Sequence, residues 1–589
     1  MIEPEVFAPL RLRGKSPFLR FGIMCNGKDF QRWQADAIID LINHGHQPVL
    51  LIIDGRPVEK AKWLRRMMNK KRGTFLFTVL ENRIFSPEAK RQVGLHKELE
   101  NLSTIKCIIE KKGFSEYFME NDLGTIRKFE LDFILRFGFN IIRGDILSAA
   151  RFGVWSFHHD DEMVYRGGPP GFWEIFRGDP VSGAILQRIT NKLDGGLVLK
   201  KGYLKTIMHS YRESLNLLLT VSSAWPAMVA DEIAGNLSDT NQMALLFNTP
   251  ASRTAAPVYM IPGNMQMLQF LFLLLQNRVK FYYREFLAAE IWNVGVIMKP
   301  IHEVALDREG IRDSDITWMP PASHSAYLAD PAGFMEQGTL HILAEHYRYF
   351  TQKASIDEIR WATDPVRVTD PVRVTDPVRV IDSENHLSYP YIIEYHGDVF
   401  CLPESHASSG ITLYRRDPTT AKFCKDHTLV DHVKAIDPTL FCYKGYWWLF
   451  FTVRKYSNTH LFLYFSTELN GAYQPHRLNP VKTDIRSARP AGTPFIHENI
   501  LYRPAQDCAV TYGGKIAINK VLRLTPDDFA EETVHYIEPV SGSRYNRGLH
   551  TISGVGNYTL IDGKRYRLNH LYFLRQFVKK TRRKGMGDV

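Results

Sequence analysis

Between Trp155 and Leu199 the chain reads WSFHHDDEMVYRGGPPGFWEIFRGDPVSGAILQRITNKLDGGLVL, its densest run of reactive polar groups and glycines. His158 and His159 lead into Asp160, Asp161 and Glu162, and Tyr165-Arg166-Gly167-Gly168-Pro169-Pro170 forces a loop before Trp173 opens a helical segment. Imidazoles beside carboxylates can move protons or bind a metal, whereas burying so many of them unpaired would be costly. The run therefore reads either as a reactive site or as a solvated turn with chance histidines.

The elements around it read as an α/β unit. Arg20-Phe21-Gly22-Ile23-Met24 predicts a strand, Phe30 to Leu41 has helical spacing at Trp33, Ala37, Ile38 and Leu41, and Pro48 to Asp54 is a continuous apolar strand. Strand, helix, strand at this spacing is a crossover unit of a parallel sheet. Leu131 to Leu135 and Phe139 to Ile142 supply another strand and its exit loop. Gly153 to Phe157 delivers the reactive run, and Ala184 to Ile189 follows it. Ligands of open α/β sheets bind beyond the carboxyl ends of strands, which is where Ser156 and His158 fall. From Lys201 to Ala289 the pattern is helical. Its most apolar stretch, MQMLQFLFLLL from Met265, is too short to span a membrane and is expected to be a buried helix.

From Trp292 the pattern changes to short aromatic strands and turns. Ala329-Asp330-Pro331, Ser388-Tyr389-Pro390, Ile436-Asp437-Pro438, Ala488-Arg489-Pro490 and Leu549-His550-Thr551 recur at intervals near those of propeller blades, about 40–50 residues, and five of them predict five blades. Acidic groups on a propeller's axial face could serve as a glycosidase acid and base. Asp330, Asp437, Glu404 and Glu345 are the candidates, with Arg489 in a fourth segment that carries no Glu. The same Asp-Pro units also serve simply to turn a chain. Tyr443, Trp447, Trp448 and Tyr512 would suit sugar stacking, although strand aromatics also pack cores. The tandem repeat Thr363-Asp364-Pro365-Val366-Arg367-Val368 reads as a loop expansion, because its prolines forbid a helix or a central strand.

A chain of 589 residues exceeds what one core supports, so several domains are expected. Six scattered cysteines without a CxxC pair argue for a reducing compartment and against a zinc site. The opening MIEPEVFAPLRLRGKS has no apolar core, and no run reaches the ~18 apolar residues of a membrane span, so a cytoplasmic protein is expected. The net charge of +11 comes partly from Lys70-Lys71-Arg72 and the tail Lys579-Lys580-Thr581-Arg582-Arg583-Lys584. No nucleic-acid-binding motif accompanies these runs, so they read as solvated ends and loops.

The reactive run resembles the formyltransferase family, which includes methionyl-tRNA, glycinamide ribonucleotide and sugar N-formyltransferases. His158, Arg166-Gly167, Pro170, Trp173, Gly178, Gly183 and Leu193-Asp194-Gly195-Gly196 follow that family's pattern in register. Ser156 stands where the family has Asn. The resemblance implies a formyl oxygen held near Ser156, an oxyanion stabilised by His158 and a charge state of His158 set by Asp194. Losing one oxyanion donor typically costs about 3 kcal/mol, so the serine is a consequential departure. The resemblance also implies 10-formyltetrahydrofolate as co-substrate beside Phe137, Gly138, Phe139 and Ile141, with Arg166 near the acceptor or fixing its loop. The second half resembles the five-bladed furanosidase-type glycoside hydrolases and, more closely, the propeller of glucosamine inositolphosphorylceramide transferases. That likeness implies Asp330 as base and Asp437 as modulating aspartate.

The expected architecture is α/β plus all-β. It comprises a Rossmann-like formyltransferase domain with a parallel sheet (17–205), a helical connector (206–290), a five-bladed propeller (291–570) and a basic tail (571–589). The expected activity is formyl transfer to an amine of an amino sugar, a nucleotide-linked amino sugar among the candidates, recognised by the propeller. The alternatives are a glycan-modifying or a carbohydrate-binding protein that acts through the propeller, with a degenerate first domain.

Overall fold

The computed structural model describes residues 18–56, 73–192, 195–237, 254–323, 325–362, 373–405 and 410–568. Lys70-Lys71-Arg72, Leu193, Asp194, the tandem repeat up to 372 and the basic tail lie outside the described residues. The chain divides between Val279 and Lys280 into two compact units.

In the first unit, continuous apolar runs make a seven-stranded sheet. Its order is Leu197–Lys205, Val181–Arg188, Val154–His158, Phe133–Arg136, Arg20–Cys25, Gln47–Asp54 and Ser103–Cys107. The last five are parallel, and the first two continue the sheet antiparallel. Helix Arg32–Asn43 makes the first crossover and buries Trp33, Ala37, Ile38 and Leu41, the residues its spacing picked out. Phe21, Phe133 and Trp155 stack across three adjacent strands, with ring centroids 5.4 and 3.9 Å apart. That ladder, fully buried, seats the strand carrying His158. Phe139 to Ile142 does not extend the main sheet. Ile141–Arg143 instead pairs with Ser115–Phe118 in a small separate sheet.

Helices Tyr211–Ser222 and Trp225–Asn236 form the one stretch among the described residues long and apolar enough to cross a membrane, and 67% of its apolar window is buried within the fold. Helix Asn264–Leu287 corrects an expectation. Of the apolar run from Met265 to Leu275, Met267 and Phe270 are buried, while Met265, Leu268, Phe272 and Leu275 are more than half exposed. Phe270 stacks 4.1 Å from Phe172, so one stripe of the helix faces the core. A run apolar all round cannot bury every side against one neighbour.

The second unit consists of five sheets of four or five antiparallel strands. Four follow the chain in order, starting at Ala326–Glu336, Leu387–Tyr395, Ala435–Tyr443 and Phe495–His497. The fifth joins the two ends of the unit, because Ala288–Ile297 pairs along its length with Tyr558–Leu568. This is a five-bladed β-propeller closed by strands from opposite ends of its sequence. The described remainder of the tandem repeat forms two short edge strands, Arg373–Val374 and Val378–Arg379, against Lys353–Ala362. Proline is tolerated at such edges.

One backbone device recurs in the first three landmarks. At Asp330-Pro331, Tyr389-Pro390 and Asp437-Pro438 the ladder is interrupted: Ala329 pairs with Glu345 but Ala332 with Leu343, and the next two blades repeat the pattern. Two residues of the inner strand thus oppose one of its neighbour. Asp330, Tyr389 and Asp437 all have left-handed φ, +50°, +45° and +49°. Bulges of this kind re-aim side chains, and left-handed non-glycine residues cluster at functional sites.

Candidate functional site

The bulges and the strands opposite them deliver one buried cluster. Glu345 and Glu404 sit opposite the bulges of successive blades, paired with Ala329 and Ser388, and Thr452 takes the equivalent place in the third. The same recurrence, landmark residue followed at a fixed interval by a polar residue on the next strand, is present in the sequence and relates Glu345 to Glu404, both of them expected candidates.

Asp437 is held on several sides. Arg489 donates from Nε to Oδ2 at 2.5 Å and from Nη2 to Oδ1 at 3.2 Å, and Gln506 Nε2 donates to Oδ2 at 2.7 Å. The Asp437 N–H donates to Glu404 Oε2 at 3.2 Å. Burial pushes the Asp437 carboxyl up to about 7, against the pull of Arg489. Arg489 also stacks over the ring of Tyr512 and donates to its hydroxyl at 3.3 Å. Tyr389, the second bulge residue, accepts at its hydroxyl from the Gly492 N–H at 2.7 Å and meets Thr439 Oγ1 at 2.8 Å.

Asp330 lies at the opposite sequence end of the same cluster. Thr551 Oγ1 donates to Asp330 Oδ1 at 2.8 Å, and His550 Nε2 lies 3.3 Å from that oxygen. His550 Nδ1 lies 2.5 Å from Asp562 Oδ2, so one imidazole bridges two carboxylates. Its pKa is raised: burial alone would lower it, and Asp562 and Asp330 more than compensate. Glu345 is in hydrogen-bonding contact with Asp330. Burial first, then Asp330, Glu404 and Asp437, hold its carboxyl well above the ordinary range. Asp330, His550 and Asp562 could together hold a cation, the one such grouping among the described residues.

All five landmarks thus place their central residue in or beside this cluster, together with Glu345 and Glu404. Trp447 and Trp448 do not take part: both are buried in blade cores, and Tyr443 packs against the second of these. Tyr512 is the member of the aromatic set that reaches the axial groups. Gln506, Asp562 and His550, absent from the expected site, complete it.

In the first unit the reactive run divides. Ser156 is buried, and its Oγ accepts from Arg136 Nε and Nη2 at 3.2 and 2.9 Å. Its hydroxyl is committed to that guanidinium and to the Phe157 carbonyl, so it does not occupy the donor position expected of it. His158 is partly exposed, with Nε2 4.0 Å from Asp160 Oδ2. His159 is buried against Trp33 and Phe157, bonds Ser222 Oγ, and is driven by burial to about 3 and so to neutrality. Asp194 lies outside the described residues. Arg166 fixes its loop: Nη1 donates to the Ala256 carbonyl at 3.3 Å, and Arg166–Gly167 pairs with Val258–Tyr259.

The expected pterin wall is largely used up by packing. Phe137 is edge-on to Trp33 and Phe30, and Phe139 packs on Phe118. Gly138 approaches the Cys25 backbone so closely that a Cβ would lie 3.1 Å from its carbonyl carbon. Ile141 is exposed. The loop is pinned by Glu116, which accepts from both Asn140 nitrogens and from Arg56. Phe137, Gly138 and Phe139 are thus engaged in packing within the fold.

The second unit is a five-bladed propeller with a carboxylate-rich axis, and comparison with known proteins finds a likeness in this part of the chain. Residues 317–556 match the family model described as glucosamine inositolphosphorylceramide transferase 1, N-terminal. The chain is 30% identical over 219 residues to glucosamine inositolphosphorylceramide transferase 1 of Oryza sativa subsp. japonica, covering 36% of this chain and 28% of the relative. It is 28% identical over 241 residues to that of Arabidopsis thaliana, covering 39% and 30%. The chain thus spans under a third of the length of these curated relatives. Among solved structures, Cellvibrio cellulosa α-L-arabinanase with arabinohexaose is similar at 16% identity and a TM-score of 0.28, covering 35% of this chain and 77% of that one. Symbiobacterium toebii glycinamide ribonucleotide transformylase 1 is similar at 12% and 0.26, covering 37% and 89%.

Two expectations change. The family model and the curated relatives give formyl transfer no support. The cytoplasmic placement is corrected as well: these relatives are named for inositolphosphorylceramide, an acceptor whose ceramide chains keep it in a membrane.

Proposed function

We propose that the chain is a glycan-modifying enzyme acting through the axial cluster of the propeller, on a carbohydrate or glycolipid headgroup. The observation that supports this most directly is a buried carboxyl group, Glu345, held well above the ordinary range in the same cluster as the Arg489–Asp437 ion pair. Glu345 donates its proton to a glycosidic oxygen as the bond to the anomeric carbon breaks, and Asp330 takes a proton from the incoming hydroxyl. Asp437, held by Arg489 and Gln506, accepts from substrate hydroxyls, and Tyr512 supplies an apolar face. Asp330 and Glu345 touch, whereas carboxyls flanking a sugar stand about 5–9 Å apart, so the two separate as substrate enters. The test is to incubate the purified chain with glycosylated inositol phosphates and simple glycosides and to follow binding and product by mass spectrometry. Modification lost in Glu345→Gln supports the reading; neither binding nor modification of any glycan removes it.

A second reading concerns the first unit, where His158 ends a central parallel strand at the site expected for ligands of such sheets. On this reading an amine of an amino sugar attacks a formyl carbonyl, the bond from that carbon to the donor's nitrogen breaks, and His158 relays the amine's proton to the departing nitrogen. Incubation with 10-formyltetrahydrofolate and amino sugars would show a gain of one formyl group, abolished in His158→Ala. No gain with any acceptor discards it.

A further inference from the structure

We propose that helix Asn264–Leu287 lies along the surface of an anionic lipid bilayer, with its exposed apolar stripe sunk below the headgroups and Arg278 at the level of the phosphates. This concerns where the chain works, goes beyond the reaction proposed above and does not depend on it.

The helix has two apolar sides. Met267 and Phe270 are buried, and Leu274 packs against the same core. Met265, Leu268, Phe272, Leu275 and Val279 are each more than half exposed. They recur at alternating intervals of three and four residues, which places them within an arc of about 80° on the side of the helix away from Phe270. At the α-helical rise the stripe is about 21 Å long. The loop before the helix adds Met260 and Ile261, both also more than half exposed. No residue between Asn264 and Asn277 is charged. A contiguous apolar face left in water marks an interaction surface. The face belongs to a helix that can lie in a membrane interface but not cross it, because Gln266, Gln269, Gln276 and Arg278 interrupt the run and the opposite side is committed to the core.

The charges choose between lipid and a second copy of the chain. Alternating spacing of three and four also suits a coiled-coil seam, whose flanking charges pair with opposite ones on the partner. Here the flanking charges are mostly of one sign: Arg278, then Lys280 and Arg284 further along the helix, against Glu285. The Asn277 amide donates to the Met208 carbonyl at 3.1 Å, which brings this part of the helix beside the segment carrying Lys205 and His209. His209 is held below the ordinary imidazole range by burial first and then, against the pull of Glu213, by Arg278 and Lys205. Positive charge thus collects at one end of the stripe. Two copies brought together there repel each other, whereas anionic headgroups attract it.

The experiment is sedimentation of the full chain with vesicles of phosphatidylcholine alone and of phosphatidylcholine containing about 30% phosphatidylserine. The wild type should bind the anionic vesicles at least about tenfold more tightly than the neutral ones, and should lose that advantage in about 0.5 M salt. Leu268→Gln combined with Phe272→Gln, both away from the core, should weaken binding more than about tenfold, because two large side chains no longer leave water. Arg278→Gln should weaken it about fivefold. A wild type that stays off the anionic vesicles, or binds both compositions equally, overturns the proposal, and that result requires no variant to fold. Unchanged binding by the double variant at unchanged circular dichroism also overturns it and assigns the contact to the basic tail. A chain that binds no vesicles but forms a dimer in analytical ultracentrifugation, dissociated by the double variant, gives the stripe to a second copy and overturns it as well. Vesicle binding as described, with no glycan bound or modified, upholds this surface and removes the reading of the reaction.

Discussion

Arg489 clamps Asp437 between the fourth and third blades, with Nε 2.5 Å from Oδ2 and Nη2 3.2 Å from Oδ1, and both side chains are largely buried. Two landmarks far apart in sequence thus become one ionic unit at the propeller axis.

Arg489→Gln leaves Asp437 with the Gln506 amide as its remaining side-chain donor, and breaking a buried pair from one side costs about 3–5 kcal/mol. Asp437 evades part of that cost by binding a proton. Its pKa, already pushed up to about 7, rises further; a raised carboxyl stabilises the fold at low pH, and that stability is lost as pH rises through the folded value. Urea midpoints should therefore show a larger loss at pH 8 than at pH 5. An equal loss at both would mean that Asp437 stays ionised.

Glu345→Gln replaces a carboxyl held well above the ordinary range by a neutral amide of the same shape. Glycan binding should persist while turnover falls by about 10²–10⁴, the usual worth of a general acid. Because Glu345 is raised in the fold, the wild type loses stability as pH rises from the ordinary glutamate range toward that raised value. The variant lacks this slope, so relative to the wild type it should gain stability between pH 5 and pH 8, measured by chemical denaturation.

Glu531 tests a purely structural pair. Arg503 Nη2 and Lys482 Nζ lie 2.5 and 2.7 Å from its Oε1, and against the cost of burial they depress it to about 2. Its contribution is present above the ordinary glutamate range and is lost as pH falls toward 2. Glu531→Gln strands a buried guanidinium and should cost about 3–5 kcal/mol at pH 7, and the difference from wild type should shrink on acidification.

Helix Asn264–Leu287 yields a contrast between its faces. Phe270→Asp should unfold the first unit, since Phe270 is fully buried against Phe172 and Tyr211. Leu268→Gln and Phe272→Gln, on the exposed stripe, should each change stability by no more than about 0.5 kcal/mol in thermal melts.

The strand–helix–strand opening and the five landmarks were legible in the sequence, because hydrophobic periodicity and turn residues act over a few positions. Position within a strand was legible too: His158 was placed at a strand end, where it stands. The orientation of Ser156 was not. Whether its hydroxyl meets solvent or Arg136 depends on a guanidinium from the neighbouring strand, and spacing carries no trace of that.

By itself the sequence determined which segments become strands and helices, and that aspartates, a tyrosine, an arginine and a histidine recur once per blade. The tertiary structure alone decided which of them meet. Ala288–Ile297 finds Tyr558–Leu568 and closes the ring, the bulges turn Asp330 and Asp437 inward, and Glu345 comes to face Asp330. Local preferences are set by each residue and its near neighbours. Protonation states and ion pairs are set by what else is buried within a few ångströms, and only the closed fold fixes that.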